Sequence, residues 1–221
     1  MSKYKLVYFN ARGWAELSRL IFAYSGIPYE DFRFEREDWP TYKAESPLGQ
    51  APWLEVNGQK LPQSKAVARY LAKVANLTGV NDIEAAKCDA IVDFIMDLIE
   101  PLKVIVKVKQ ENPEALEDEC KKHIGKLSEQ ILSLEKFIAG NGGEYAVGNQ
   151  ITWADLFLFN FIHDLMVHAP QLYDFSLAPT AKKILIGWQT YLLSRIGLQN
   201  VLSLKCSIKL SIMHSKLSLP M

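Results

Sequence analysis

A helical stripe of ten residues, bracketed by two short strand-like runs, limits the fold more than any other feature of this chain. Residues 5–9 (KLVYF) and 29–34 (YEDFRF) have the length and aromatic content of strands. Between them Leu17, Leu20, Ile21 and Tyr24 recur at helical spacing, Gly26 ends the run and Pro28 keeps it from resuming. Two strands joined by a helical crossover are expected to pair in parallel. Residues 36–50 read as irregular. Pro52 then leads into 53–56 (WLEV), and Asn57 with Gly58 is the strongest short hairpin signal, which makes 59–61 the antiparallel partner. Ser64 is placed to N-cap a helix through Val67, Ala68, Tyr70, Leu71 and Val74.

The pattern changes after residue 76. Residues 76–82 are polar and turn-like, a linker, and everything beyond reads as helix. Residues 83–109 carry Ile91, Phe94, Ile95 and Leu98 on one face, with Pro101 expected to bend or interrupt the helix. The 104–108 stretch is β-branched and alternating, a weaker helix signal. Pro113 suits a first helical turn. From Leu116 to Ile138 the helical spacing holds until Gly140, and Thr152 with Asp155 forms a capping box flanked by the staple pair Ile151 and Leu156. A β-α-β unit followed by β-β-α is the thioredoxin-like arrangement, here without redox cysteines. The expected architecture is an α/β thioredoxin-like N-terminal domain (residues 1–76) and an all-α C-terminal domain (83–221), with 201–221 an atypical tail.

Bulk properties exclude several partners. Formal net charge is zero, which favours neither nucleic acid nor an anionic membrane. Residues 1–174 nevertheless hold all 25 acidic side chains against 19 basic ones, whereas 175–221 hold six basic and no acidic residues. Cys88, Cys120 and Cys206 are widely separated, with no CxxC and no metal spacing, so reduced thiols and no metal are expected. His123, His163, His168 and His214 show no ligand spacing either. The opening lacks a signal-peptide core and no run reaches membrane-spanning length, which points to the cytoplasm.

Chemistry concentrates in the first domain. A strand end followed by a helix start places Tyr8, Asn10 and Arg12 near a positive helix N-terminus, where a phenol could donate to an anion. Pro52, if cis, would turn the backbone before it outward to pair with an extended peptide. Ser64 and the free N–H groups of its helix turn suit a carboxylate. Taken alone, Tyr8 reads as an edge-strand core aromatic, Pro52 as strand punctuation and Ser64 as an N-cap.

Context decides among these readings. The run YFNARGWAE at 8–16 resembles the opening of sigma-class glutathione transferases. Asp38, Trp39, Pro40 and Lys43, then PLGQAP at 47–52, LEVNG at 54–58, Gln63 with Ser64, ARYL at 68–71, DAIVD at 89–93 and TWAD at 152–155 follow in that family's order. The run LPQS at 61–64 is similar to nematode members. The resemblance implies an enzyme with glutathione as co-substrate and Tyr8 as the catalytic hydroxyl. It implies Trp39 and Lys43 at the glycyl carboxylate, and Gly49, Gln50, Ala51 and Pro52 along the cysteinyl backbone. Gln63 and Ser64 fall at the γ-glutamyl end, with Asp97 reaching its ammonium from the partner subunit of a homodimer. A thiol reacts as its thiolate, which a phenol hydrogen bond and a helix N-terminus stabilise without neutralising it. Small apolar electrophiles are the implied second substrate.

Three departures stand out. Trp14 and Gln50 occupy places where the family often has arginine and lysine; with Trp14 in its place, a cation that could support the thiolate is missing. The acidic positions of the prostaglandin D synthases in this class read Asp93, Met96 and Asp97, and their acceptor tryptophan is Val104, so that pattern is not met. Ala181, Ile184, Leu185, Trp188 and Leu192 keep helical spacing, but the basic stretch from Leu202 has no counterpart in the family. A non-catalytic binder of glutathione or apolar ligands, and a glutathione-dependent isomerase or peroxidase, would use the same site.

Overall fold

The computed structural model describes residues 3–142, 144–169, 178–184 and 186. Its first half contains β1 (Tyr4–Phe9), α1 (Glu16–Ser25), β2 (Glu30–Phe34), α2 (Trp39–Glu45), β3 (Trp53–Val56), β4 (Gln59–Pro62) and α3 (Ser64–Val74). The strands form one sheet in the order β2-β1-β3-β4, with β1 parallel to β2 and antiparallel to β3. The crossover through α1 therefore produces the expected parallel pair. Asn57 (φ 50°) and Gly58 (φ 86°) both take the left-handed conformation that a tight hairpin requires, and β3 pairs antiparallel to β4 across them.

Alternation along β1 divides the side chains between two cores. Leu6 and Tyr8 join Leu54 and the apolar stripes of α1 and α3 in the main core. Val7 packs with Phe34 and Trp53 on the other face, under Trp39 and Tyr42. Those two aromatics explain a helix that the sequence reading left as irregular. Trp39 stacks on Phe34 (5.9 Å between centroids, 8° between planes) and Tyr42 meets Phe32 and Phe34, so α2 is held by one aromatic face. Seven residues are too few to show a period, and Pro40 in the first turn costs no hydrogen bond.

The second half is helical: α4 (Asp82–Glu111), α5 (Leu116–Gly140) and α6 (Trp153–His168). Almost every residue of α6 through Leu165 is buried, as expected of a helix that is apolar all round and packed between α4, α1 and α3. Asp155 begins it as a wholly buried carboxylate, accepting from the Thr152 N–H (2.8 Å), the Thr152 hydroxyl (2.7 Å) and the Ala146 N–H (2.7 Å). The Trp153 N–H donates to the Leu77 carbonyl at 2.9 Å and ties the linker to α6. Of the two outcomes expected at Pro101, a bend or an interruption, α4 shows no interruption. Leu98, Leu102 and Ile105 are buried on both sides of the missing N–H, so packing outweighs one lost hydrogen bond. The β-branched 104–108 stretch lies within the same helix.

On α5, the buried Glu135 accepts from the N–H groups of Thr180 (2.8 Å) and Ala181 (3.1 Å), docking the 178–184 segment. Leu185, Trp188, Leu192, the tail from Leu202, Cys206 and His214 lie outside the described residues.

Candidate functional site

Tyr8 sits one residue before the end of β1, with its hydroxyl turned toward the start of α1. The Trp14 N–H donates to that hydroxyl at 3.2 Å, so one lone pair is engaged and the phenolic proton remains available for donation. Gly13 makes this approach possible. Its φ is +41°, and a Cβ at that position would stand 2.7 Å from the Tyr8 oxygen. Burial pushes the Tyr8 phenol above its ordinary value, opposed by the Trp14 N–H and by the charges of Arg19 and Arg36. The side chain is thus a neutral donor at neutral pH.

In front of it opens a cleft of about 690 Å³. It brings together Trp39, Gly49, Gln50, Ala51, Pro52, Gln63 and Ser64, seven of the ten positions singled out in the sequence. The Ala51–Pro52 bond is cis. The Ser46 hydroxyl receives the Gln50 N–H at 2.9 Å and donates to the Gln50 carbonyl at 2.5 Å, fixing the loop on which Gly49 stands at φ +63°. Gln63 occupies the left-handed region at φ 73°, ψ 114°, a conformation that costs a non-glycine residue roughly 1–3 kcal/mol. Its side-chain amide donates to the Gln50 side chain at 3.1 Å, across the floor of the cleft. Gln63, and not Ser64, takes the N-cap position of α3; Ser64 is the first helical residue. The Ser64 hydroxyl makes no hydrogen bond among the described residues, and it stands with the unsatisfied N–H groups of a helix first turn.

The remaining three positions are placed differently. Tyr8 does not line the cleft itself; its hydroxyl accepts from the N–H of Trp14, which does. Lys43 is exposed at the Gly49 end, its Cε 3.8 Å from where a Gly49 Cβ would be. Asp97 is exposed on α4 and has no hydrogen bond or ion pair among the described residues, whereas Asp93, one turn earlier, pairs with Lys65 at 2.7 Å. Arg12, near the start of α1 as its sequence position suggested, does not line the cleft. It is drawn to Glu16 (2.9 Å), the Asn160 side chain (2.8 Å) and Asp164 (3.8 Å), and so ties the first domain to α6.

A second cavity of about 440 Å³ adjoins the first, and the two share Trp14, Ser64, Lys65, Met96 and Lys103. Its walls are mostly apolar: Leu17 of α1, Ile99, Leu102 and Val106 of α4, Phe157 and Phe161 of α6. His168 also lines it, and burial lowers its basicity, so it presents a neutral imidazole. Sequence reasoning placed neither His168 nor these walls, because helical spacing reveals a buried face but not which helix it meets. A cation does stand beside Trp14: the Lys103 ammonium lies 4.9 Å from the indole centroid.

Residues 4–73 match the model of the glutathione S-transferase N-terminal domain, and residues 96–184 match a model of its C-terminal domain. The chain belongs to the glutathione S-transferase family. As a member it is a transferase with glutathione as co-substrate. Glutathione S-transferase 1 of Ascaris suum is 41% identical over 158 residues, covering 71% of this chain and 77% of the relative. Human hematopoietic prostaglandin D synthase is 40% identical over 174 residues, covering 79% and 85%. The crystal structure of a monomeric glutathione S-transferase from the hookworm Necator americanus superposes with a TM-score of 0.79 at 33% identity, covering 91% of this chain and 96% of that one. The sigma-like character read from the sequence agrees with these relatives, and so does the thioredoxin-like domain joined to helices.

Proposed function

We propose that this chain joins glutathione to apolar electrophiles, with the Tyr8 hydroxyl holding the thiolate ready for attack. One observation carries this reading: the cleft and the more apolar cavity beside it meet at Trp14, whose own N–H steadies the Tyr8 hydroxyl. The glutathione thiol releases its proton to solvent, and the thiolate accepts a hydrogen bond from Tyr8. Sulfur then bonds to the electrophilic carbon as the leaving group departs with its electron pair. A neutral phenol suits this role because its bond strengthens as negative charge builds on sulfur.

In this reading residues 1–76 form the glutathione-binding unit and 83–221 bear the acceptor pocket. Trp39 and Lys43 hold the glycyl carboxylate, while Ala51, flanked by Gly49, Gln50 and Pro52, pairs its backbone with the cysteinyl residue. Gln63 and Ser64 hold the γ-glutamyl end, a reading supported by the left-handed Gln63 and by a Ser64 hydroxyl without a hydrogen bond among the described residues. The exposed, unpaired Asp97 suits a reach to the γ-glutamyl ammonium of a second copy, which makes the working form a homodimer. No helix among the described residues is long and apolar enough to cross a membrane, and we place the enzyme in the cytoplasm. The prostaglandin activity in a relative's name is not carried over, because Met96 and Val104 stand at positions where the resemblance requires other residues.

Purified protein is expected to be retained on immobilised glutathione and to turn over an aryl halide faster than an organic hydroperoxide. Retention without turnover of either would make it a binder. No retention would remove the site.

A further inference from the structure

The cleft and the cavity meet at a point where a thiolate must sit close to an apolar acceptor. Positive charge there would lower the energy of the anion, and most of the nearby cations are already engaged. Arg12 is held by Glu16, Asn160 and Asp164. Arg19 is buried against Glu16 and Asp31 and donates to the Ala11 carbonyl. Lys65 is paired with Asp93. Lys65 also lines both spaces, in a pair as exposed as that of Lys103 with Glu100, and Arg36 lines the cavity without an ion pair among the described residues. Of these cations, Lys103 is the one that stands against Trp14. It lines both spaces, and its ammonium lies over the face of the residue whose N–H bonds the Tyr8 hydroxyl.

We propose that Lys103 supplies positive charge to the glutathione thiolate at this junction, with the Trp14 indole as the platform that keeps its ammonium there. This rests on the glutathione-transferase reading above. An ammonium over an indole face is attracted to the ring without being neutralised by it, so its charge remains available to an anion nearby. Glu100, one turn back on α4, competes by pairing with the same ammonium. Both partners are largely solvated, so that pair is weak, and two of the three N–H donors remain. The other charged and titratable groups around the junction are Tyr8 of β1, Arg36 before α2, Lys65 and Arg69 of α3, Lys107 of α4, and Asp164 with His168 of α6. None of these groups is a hydrogen-bond or ion-pair partner of Lys103 among the described residues, so a substitution there removes one charge without unpairing them.

The experiment is an ultraviolet titration of the glutathione thiolate bound to the intact protein, paired with the pH profile of kcat/KM for an aryl halide. Lys103→Met keeps the stem on Trp14 and removes the charge. Below the thiol's pKa it is expected to reduce the bound thiolate fraction about threefold, moving the acid limb of the profile to higher pH. The Kd for glutathione measured by calorimetry should change much less. Lys103→Arg should restore the profile. Glu100→Gln should shift it the opposite way, toward lower pH, and this variant decides the matter if Lys103→Met fails to fold. A thiolate titration unmoved in both variants, with glutathione still bound, overturns the inference and leaves the proposed function standing. A change confined to the acceptor's KM also overturns it. A wild-type protein that binds no glutathione removes the proposed function and this inference together.

Discussion

The two halves of the molecule build their parts of the site in different ways. In the α/β half the groups facing the cleft are placed by backbone features: the end of β1, the cis bond before Pro52, the left-handed Gln63 and the first turn of α3. In the helical half the cavity wall is made of side chains on α4 and α6, and many residues of similar size would serve at its apolar positions. Few sequences satisfy the first kind of construction, and many satisfy the second. One half can therefore keep a fixed ligand while the other changes its acceptor.

That contrast breaks first if the helical half is less tolerant than its cavity suggests. Asp155→Ala is expected to cost about 3–5 kcal/mol, because two buried backbone N–H groups and a hydroxyl lose their acceptor together. Chemical denaturation of the full chain checks this; a loss below about 1 kcal/mol would mean that the helix start is held by something else.

Gly13→Ala attacks the other half at its tightest point. The added methyl meets the Tyr8 hydroxyl at 2.7 Å in a left-handed backbone, so the hydroxyl must move. A fall in kcat of about tenfold to a hundredfold is expected, with glutathione binding reduced far less. Stopped-flow turnover beside calorimetry separates the two quantities. Equal losses in both would show that Gly13 serves the cleft as a whole.

These points also show what the sequence disclosed. Asn57 with Gly58, Gly26 and the Thr152–Asp155 box are local chemistry with few alternatives, and each stands where it was expected. α2 escaped because seven residues carry no period and its anchor, Trp39 on Phe34, is a tertiary contact. Gln63 escaped because nothing in its side chain announces a left-handed backbone, so Ser64 was given the N-cap position. The partner of Arg12 on α6 and the approach of Lys103 to Trp14 span 148 and 89 residues along the chain, distances over which periodicity carries no information.

Smaller effects sharpen the comparison. Ser64→Ala and Lys43→Ala are each expected to raise the KM for glutathione by the equivalent of ~1–3 kcal/mol while leaving kcat close to wild type. Unchanged retention of both variants on immobilised glutathione would contradict the assignment of the two ends of the tripeptide. Val106→Ala, in the cavity wall, should alter the acceptor's KM by a few fold, on the order of 1 kcal/mol, and leave the glutathione KM alone. If it moves the glutathione KM instead, the division of labour between the halves is wrong.

The central claim is that the Tyr8 hydroxyl stabilises a thiolate, and Tyr8→Phe tests it most directly. Steady-state turnover of an aryl halide and calorimetric glutathione binding are measured on the same preparations across neutral to mildly alkaline pH. Burial holds the phenol above its ordinary value, so in the wild type it stays protonated over that range and the rate shows no loss from its ionisation. In the variant kcat is expected to fall by about a hundredfold to a thousandfold, while the Kd for glutathione changes by no more than about threefold. A Tyr8→Phe enzyme that turns over at the wild-type rate would contradict the account.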